Sequence, residues 1–409
     1  MPESTCRICG GVVTMFLDLG RQPLSDVFPV EAPAPGEEFT YALRVGTCAD
    51  CTMVQLLDEV PREAMFGEHY PYRSSGSSVM RAHFEALAKS LLAGELSGRS
   101  DPFVVEIGSN DGVMLRTIAA EGVRHLGVEP SSGIARTAAE QGVAVLTAFF
   151  EVDTARAVRA EHGPADVVYA ANTICHIPYL GSILDGVAEL LTDDGVFVFE
   201  DPYLGDIVAK TSYDQIYDEH FFLFSATTVA DAAARHGLEL VGVERLPVHG
   251  GEVRYTLARA GRRTPDAAVG ELLAQEAAAD LHSPATLRRF ADAVAANAAD
   301  LVALLERLRA EGARVVAYGA TAKSATVTNY AGIGTDLVEA VVDTTPEKQH
   351  RVTPGAHLPV RPASTFAEPY PDYALLFAWN HAAEILDREA AFRAAGGRWI
   401  LYVPDVRVV

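Results

Sequence analysis

The sequence predicts an α/β protein in three parts, a small cysteine-rich module followed by two α/β domains. Three observations predict this fold class. Paired cysteines occupy the first 51 residues, strand-like and helix-like runs alternate from about residue 101, and the alternation returns after an alanine-rich segment. A chain of 409 residues is too long for one typical core, which agrees with several domains. The predicted boundaries are 1–66, 67–264 and 265–409.

The first part carries four of the five cysteines in the spacing C-x2-C-x38-C-x2-C, namely Cys6, Cys9, Cys48 and Cys51. Each Cys-x-x-Cys can aim two thiolates at one point, and two such turns complete a tetrahedral Zn²⁺ shell. The alternative, four unrelated buried thiols, fits two close pairs poorly. Four thiolates leave no open position for water, so the predicted zinc is structural. Cys175 suits a core position better than a catalytic one.

The second part reads as a Rossmann-like domain, preceded by a loop and a helix over 67–80. Its predicted strands are FVVEIG (103–108), HLGVEP (125–130), ADVVYAAN (165–172) and GVFVFED (195–201). Helix-like stretches separate these strands, which predicts a parallel sheet covered on both faces.

The third part opens with one long amphipathic helix, because apolar residues recur at helical spacing from Leu287 to Leu308. A second Rossmann-like unit follows, with ARVVAYGATAKSATV (313–327), LVEAVVD (337–343), YALLFAW (373–379) and RWILYVP (398–404).

The overall charge excludes some partners. Acids outnumber bases by 55 to 33, for a formal net charge of −22. Nucleic-acid binding needs a positive field, so we expect no nucleic-acid partner. The first residues lack a basic and then apolar run, and no apolar run reaches the ~18–20 residues that a membrane span needs. We therefore expect a cytoplasmic protein without a membrane partner, and a monomer or weak homo-oligomer.

The motif EIGSNDG (Glu106–Gly112) follows the first strand of the second part and precedes a helix. Ligands bind at that edge of open α/β sheets, and Gly108 lets the backbone approach one closely. The turn lacks the GxGxxG of NAD proteins and carries Asn110 and Asp111 instead, while Glu129 can bind a ribose. Acidic groups suit a cation without phosphate, which favours S-adenosylmethionine (SAM); NAD and a plain turn are the alternatives.

Two further strand ends are weaker candidates for the same cofactor. Phe149 and Phe150 end the third strand region, where an adenine could stack. Asn172 ends the fourth strand, near the methionine part. Aromatic residues at strand ends are usually core.

Seven motifs occur in an order that indicates a family: CRICG, LGRQPLSD (19–26), YPYRSSGSS (70–78), EIGSNDG, YDEHFFLFS, HGGEVRY (249–255) and YGATAKSATVTNY (318–330). Together they resemble the zinc-containing, SAM-dependent C-methyltransferases of deoxysugar biosynthesis, over essentially the whole chain. The closest likeness is to enzymes that methylate C-3 of dTDP-linked 3-amino-4-keto deoxysugars for antibiotics. The resemblance implies a structural zinc, SAM in the central domain and the nucleotide sugar in the C-terminal domain.

The resemblance also implies catalytic roles. The base is the histidine of Y-x-E-H, here His220, and Tyr217 and Glu219 are expected to contact the substrate or its enolate. His176 is a secondary participant. Tyr72 matches the tyrosine of the YPY segment, with the first tyrosine of that segment as the alternative.

The residue types suit this chemistry. A C–H beside a ketone can be deprotonated to an enolate, and a histidine titrates near working pH better than a carboxylate. The enolate oxygen needs a donor, which Tyr72, Tyr217 or His176 could be. The phenylalanines after His220 would exclude water. The alternative is a hydrogen-bonded histidine on an amphipathic edge.

Four residues are candidates for binding the nucleotide sugar. YGATAKS lacks the Walker A spacing, but a helix N-terminus with Lys323 and Ser324 could bind a diphosphate. Arg254 is a second phosphate candidate, and Asp343 could bind a ribose. The alternatives are a solvated basic residue for Lys323 and a helix cap for Asp343.

The leading function is therefore enzymatic methyl transfer to sugar carbon. A 4-keto sugar without the 3-amino group is the first alternative substrate. An O-methyltransferase is less favoured because it would not need residues that form a ketone enolate. A non-catalytic zinc-module binding protein is less favoured because the EIGSNDG motif and Glu129 are both intact.

Overall fold

The computed structural model describes residues 4–66, 73–367 and 369–409, which form three β-sheets with helices packed around them. The N-terminal strands are β1 (Ser4–Thr5), β2 (Val12–Pro23), β3 (Thr40–Cys48) and β4 (Val54–Leu56). The central strands are β5 (Phe103–Ile107), β6 (Arg124–Val128), β7 (Val145–Leu146), β8 (Ala165–Ala171), β9 (Leu191–Pro202), β10 (Phe222–Leu223), β11 (Leu238–Leu246) and β12 (Glu252–Arg259). The C-terminal strands are β13 (Val315–Tyr318), β14 (Val341–Asp343), β15 (Val360–Pro362), β16 (Tyr373–Leu376), β17 (Arg398–Leu401) and β18 (Arg407–Val408).

The α-helices cover both faces of the two larger sheets. They are α1 (Arg62–Met65), α2 (Ser78–Ala93), α3 (Val113–Ala120), α4 (Ser132–Glu140), α5 (Val152–His162), α6 (Leu180–Leu190), α7 (Leu204–Lys210), α8 (Ala226–Arg235), α9 (Ala267–Ala278), α10 (Pro284–Ala310), α11 (Ala322–Ala331), α12 (Ala382–Arg388) and α13 (Ala390–Ala394). The long helix predicted over 287–308 is α10, whose first turn is capped by the Ser283 side chain.

The first sheet is antiparallel and has the order β1-β2-β3-β4-β10. Its last strand comes from the central part of the chain. Phe222 lies opposite Gln55, and the Leu56 N–H donates to the Phe221 carbonyl at 2.9 Å. The YDEHFFLFS motif therefore ends as a strand of the cysteine-rich module.

The central sheet has the order β11-β12-β9-β8-β5-β6-β7. The five strands from β9 to β7 are parallel, which confirms the predicted Rossmann-like sheet. The sequence did not predict that β11 and β12 extend this sheet as an antiparallel edge. Mixed sheets of this kind are common, because an antiparallel pair needs only a short connection.

The third sheet has the order β15-β14-β13-β16-β17-β18 and is parallel except for β18. The second predicted α/β unit is thus confirmed. The strand predicted over 337–343 begins only at Val341, since Leu337 and Val338 are buried as part of the preceding turn. An apolar run is buried here before the chain becomes a strand.

Polar contacts join the three parts. The Thr326 hydroxyl on α11 donates to the Ile216 carbonyl at 2.8 Å, and the Ser25 N–H donates to the Asp218 carboxylate at 3.1 Å. One continuous apolar cluster includes buried residues of all three sheets. None of the helices in the described ranges has the length and apolar character needed to cross a bilayer.

Candidate active site

A cleft of about 870 Å³ lies where the two larger sheets face each other. Gly108, Glu129 and Asn172, which directly follow β5, β6 and β8, line it. From the third sheet, Gly319 directly follows β13 and Asp343 ends β14, and both also line it. The carboxyl ends of both parallel sheets therefore open into one cavity, the usual place for a ligand in such folds.

The four predicted zinc ligands converge in the N-terminal module. The sulfurs of Cys6 and Cys51 are 3.5 Å apart, those of Cys9 and Cys48 are 3.4 Å apart, and all four lie within 4.8 Å of one another. Tetrahedral zinc with bonds of about 2.3 Å needs sulfurs about 3.8 Å apart. The N–H of Ile8 points at the Cys6 sulfur at 3.4 Å, as expected beside a thiolate. The donor set fits structural zinc.

Several residues of the EIGSNDG turn, and the neighbouring Asn172, have left-handed backbone conformations. Gly108 and Gly112 have φ angles of 67° and 75°, and a Cβ on Gly108 would lie 2.5 Å from the Thr173 hydroxyl. Asn110 (φ 47°) and Asn172 (φ 48°) are left-handed without being glycine. Such strain costs stability and is characteristic of functional loops.

Three carboxyl groups cluster beneath this turn. Glu129 accepts from the backbone N–H of Asn110 at 2.9 Å and of Ser131 at 2.8 Å, and its side chain lines the cleft. Glu106 is buried behind it, and burial together with the charges of Asp111 and Glu129 raises its pKa well above the usual range. Asp111 accepts from the N–H and hydroxyl of Ser75. Burial also raises the pKa of Glu129, so this cluster offers hydrogen-bond acceptors to a ligand more than a full negative charge.

The two phenylalanines predicted beside the cofactor both line the cleft. Phe150 is buried, and Phe149 is partly exposed. The Arg62 guanidinium lies 4.2 Å from the Phe149 ring centre, so it covers one face of that ring.

His220 is buried, and a main-chain carbonyl group orients its imidazole ring. Its Nδ1 lies 2.6 Å from the Gln215 carbonyl oxygen, and a carbonyl can only accept. Nδ1 therefore carries the proton, which leaves Nε2 as the basic nitrogen of the neutral ring. The Gln215 side chain in turn donates to the His249 carbonyl at 2.5 Å.

The expectation that His220 titrates near working pH is wrong. Burial lowers its pKa well below the ordinary value, and the neighbouring His176 and Lys323 lower it further. The ring is therefore neutral at pH 7 and ready to accept a proton, although it is a weaker base than an exposed histidine.

The other predicted catalytic residues surround this ring. His176 stacks 5.0 Å from it, and the Tyr217 ring lies 4.2 Å away. The His176 Nδ1 is 3.8 Å from a Glu219 carboxylate oxygen, and burial lowers the pKa of His176 to about 3. Burial raises the pKa of Tyr217 well above 10, so the phenol keeps its proton. Tyr72 lies outside the described residues.

The three phenylalanines after His220 belong to the apolar core and do not line the cleft. Phe221, Phe222 and Phe224 are all buried. Cys175 is also buried, as its predicted core position requires.

The structure brings only two of the four predicted nucleotide-sugar residues to the cleft. Lys323 and Asp343 line it. Ser324 does not: its hydroxyl is buried and donates to the Thr321 carbonyl at 2.5 Å. Arg254 lies across the strands from Glu200, whose carboxylate binds its Nε at 2.6 Å, and outside the cleft lining. Neither is positioned to contact a phosphate there.

Sequence reasoning missed several residues of the site. Gln215 and His249 connect His220 to Lys323, because the Lys323 Nζ lies 3.3 Å from the same His249 carbonyl. Asp26 and Lys348 line the cleft as an ion pair at 3.0 Å. Asp26 and His249 lie in motifs that indicated the family, which is the signal that could have found them, whereas Gln215 and Lys348 lie outside those motifs.

Comparisons with known proteins show which family the chain belongs to. The chain is 33% identical, over its whole length and 97% of the relative, to C-methyltransferase NovU from Streptomyces niveus. This chain belongs to the C-methyltransferase family. Three family descriptions match along the chain: "Putative zinc binding domain" over 6–66, "Methyltransferase domain" over 80–243 and "C-methyltransferase C-terminal domain" over 247–404.

Membership confirms the predicted class of this C-methyltransferase: a SAM-dependent enzyme with a zinc-binding module. Among solved structures, this chain is similar to the SAM-bound magnesium protoporphyrin IX methyltransferase of Synechocystis PCC 6803. The two are 12% identical over 44% of this chain and 82% of the other, with a TM-score of 0.33. The PH0226 protein of Pyrococcus horikoshii OT3 is 16% identical over 46% of this chain and 94% of its own length, with a TM-score of 0.37.

Proposed function

We propose that this C-methyltransferase transfers a methyl group from SAM to C-3 of a dTDP-linked 4-keto deoxysugar, in the biosynthesis of a sugar for an antibiotic. The favoured substrate also carries a 3-amino group. The observation that carries the proposal is the fixed tautomer of His220, whose basic Nε2 belongs to a ring that lines the same cleft as the cofactor turn.

The chemistry of carbon methylation explains why this base is needed. His220 Nε2 takes the C-3 proton, and the C–H electron pair forms a C-3–C-4 double bond as the C-4 carbonyl becomes an enolate oxygen. When bound, SAM supplies an electrophilic methyl group, which forms a bond to C-3 as its bond to sulfur breaks and the carbonyl re-forms. The proton on His220 then passes to solvent.

The residues around His220 suit the remaining tasks. Tyr217 stays protonated, so it can donate to the substrate or its enolate. Glu219 lies beside His176 and carries a carboxyl group that can bind an amine on the sugar. Phe66 lines the cleft with its ring centre 5.9 Å from that of His176, so it can exclude water and protect the enolate from protonation, whereas the phenylalanines after His220 lie in the core.

The cofactor end of the cleft supports SAM binding at the EIGSNDG turn. We assign the ribose hydroxyls to Glu129 and the methionine part to Asn172. Phe149 and Phe150 line the cleft and would border the adenine, whereas Glu106 and Asp111 lie outside the cleft lining and would support the turn from behind.

The C-terminal side of the cleft offers a site for the nucleotide. Three residues lie between the end of β13 and the start of α11. The Thr321 side chain accepts from the Ser324 N–H, which leaves the N–H groups of Ala322 and Lys323 in the first turn to bind a diphosphate. The carboxylate of Asp343 accepts from the Ala320 N–H at 2.6 Å and the Thr345 N–H at 2.7 Å, so it shapes this loop as well as offering an acceptor to a ribose. These N–H groups belong to loop residues, so the alternative role of Asp343 as a helix cap is wrong, and its ribose role stays a proposal.

The test incubates the enzyme with SAM and a panel of dTDP-4-keto sugars, with and without a 3-amino group. Mass spectrometry detects the gain of a methyl group, and NMR locates it. We expect a methyl group bonded to C-3, and none with a His220→Asn enzyme that still binds SAM. A methyl group on oxygen, or full turnover by His220→Asn, would refute the proposal.

A further inference from the structure

Lys323 is a half-buried lysine whose charge no carboxylate neutralises directly. It is the second residue of α11, and its Nζ lies 3.3 Å from the His249 carbonyl and 5.9 Å from the Trp379 ring centre. Among the residues that the structure describes, no carboxylate oxygen lies within 4.0 Å of that Nζ. A cation that is partly removed from water without an opposite charge beside it is costly, and it persists where function requires it.

Two other basic residues of the cleft are paired with carboxylates, and Arg73 and Arg81, unpaired within the described residues, are exposed to solvent. Lys348 pairs with Asp26 at 3.0 Å, and Arg62 pairs with Glu151 at 2.7 Å. Lys323 instead stands at the end of a hydrogen-bonded chain that begins at the base. His220 donates to the Gln215 carbonyl, the Gln215 side chain donates to the His249 carbonyl, and Lys323 approaches that same oxygen.

We propose that the Lys323 ammonium group binds the C-4 carbonyl oxygen of the substrate and stabilises the enolate that forms there, rather than binding the diphosphate. This inference rests on the proposed function and adds a catalytic residue to it. His176, with its neutral ring, and Tyr217, with its neutral phenol, can donate hydrogen bonds, but neither brings a positive charge to the oxygen.

The step balances with the residues named. The C-3 proton moves to His220 Nε2, the bonding pair becomes the C-3–C-4 π bond, and the carbonyl π pair becomes the charge on oxygen. Lys323 neutralises that charge without giving up its own proton. In a site shielded from water, a fixed cation stabilises a developing anion more strongly than it would in solution.

Nearby acids keep Lys323 charged without pairing with it. Burial lowers its pKa, whereas the charges of Asp214 and Glu252 oppose that effect. One Asp214 oxygen accepts from Trp379 Nε1 and the Tyr402 hydroxyl, each at 2.6 Å. Neither Asp214 nor Glu252 forms an ion pair with Lys323, so the ammonium group is left available to a ligand in the cleft.

The test separates enolate formation from nucleotide binding. Deuterium exchange at C-3 of the keto sugar is followed by NMR in D₂O, with S-adenosylhomocysteine present so that no methyl transfer occurs. Binding of dTDP is measured by calorimetry. The variants are Lys323→Met and Lys323→Arg, and the control is Lys89→Met, which changes an exposed lysine on α2.

We expect Lys323→Met to lower the exchange rate at saturating sugar by about 10²- to 10³-fold, the usual effect of losing one oxyanion donor. Its dTDP affinity should stay within about twofold, because the predicted contact is to the sugar carbonyl. Lys323→Arg should recover part of the exchange, since it keeps the charge. Lys89→Met should match the wild type.

Two results would overturn the inference: wild-type exchange by Lys323→Met, or weakened dTDP binding with unchanged exchange at saturation. If Lys323→Met does not fold, the inference is tested with Lys323→Arg alone. A variant that loses dTDP affinity and keeps the wild-type exchange rate would contradict the inference. A wild-type enzyme that exchanges no sugar of the panel would refute the proposed function itself.

Discussion

At the level of single residues, the chemistry depends on which nitrogen of His220 carries a proton. The Gln215 carbonyl fixes that proton on Nδ1 from 2.6 Å. The sequence predicted the base through its motif, but the orienting group is a backbone carbonyl five residues earlier. Any residue type supplies such a carbonyl, so only the turn that folds it back shows its role.

The lowered pKa of His220 predicts an unusual pH profile. The base works in its neutral form, so exchange at C-3 should be lost only when the pH falls through its pKa, which lies well below 6.5. We expect the exchange rate to change less than about twofold between pH 7.5 and pH 6, whereas a histidine of pKa 6.5 would lose about fourfold. NMR-monitored exchange across this range checks the prediction. A midpoint near pH 6.5 in the exchange profile would contradict the lowered pKa of His220.

Two basic residues that the sequence presents as similar phosphate candidates have different surroundings in the structure. Arg254 and Lys323 both stand in family motifs, yet Arg254 faces its cross-strand neighbours Glu200 and Glu244. Alternate residues of a strand point to opposite faces, and the motif alone does not tell which face meets the ligand.

At the level of elements, the zinc-binding module supports the catalytic segment. β10 follows His220 by two residues and pairs with β4, which pairs with β3, and β3 ends at Cys48. A two-residue strand paired with a distant part of the chain carries no periodic signal, so the sequence could not predict it.

This arrangement predicts that metal loss disables the base more than the cofactor site. Cys48→Ser should lose zinc, lower the unfolding midpoint by roughly 10 °C or more and reduce methyl transfer strongly. SAM affinity should change by less than about threefold, because the EIGSNDG turn belongs to the central sheet.

Elemental analysis, thermal unfolding and calorimetry with SAM measure the three effects. As a control, zinc returned to chelator-treated wild-type enzyme should restore its activity. Full methyl transfer by a zinc-free protein would contradict this role of the module.

At the level of the whole molecule, a loop of the N-terminal module fastens the C-terminal domain. The Val352 N–H donates to the Pro29 carbonyl at 2.9 Å. Glu38 accepts from the Gly355 N–H at 2.9 Å and approaches His357 Nε2 at 2.8 Å. Together with the Asp26–Lys348 pair, these contacts fix the opposite walls of the cleft.

Removing the charge of Glu38 should loosen this connection. We expect Glu38→Gln to destabilise the protein by about 1–3 kcal/mol, the cost of weakening hydrogen bonds to a partly buried carboxylate. The neighbouring Glu37 is exposed, and Glu37→Gln is the matched control with no expected change. Thermal unfolding compares the two; equal midpoints would contradict the structural role of Glu38.

Sequence patterns predicted most of this architecture but not how its parts meet. The parallel strands and α10 followed from periodicity, and the four cysteines followed from spacing. The antiparallel edge formed by β11 and β12, the strand β10 and the contacts of Glu38 depend on pairing between distant segments. Tertiary packing decides such pairing, and it leaves little trace in local composition.

The central claim, that His220 removes a proton beside a sugar ketone, is tested most directly by isotope exchange. The enzyme, S-adenosylhomocysteine and the dTDP-4-keto sugar are mixed in D₂O, and NMR follows the C-3 proton. We predict that the wild type replaces this proton with deuterium, and that His220→Asn, folded and able to bind S-adenosylhomocysteine, does not. Equal exchange by both proteins would contradict the account.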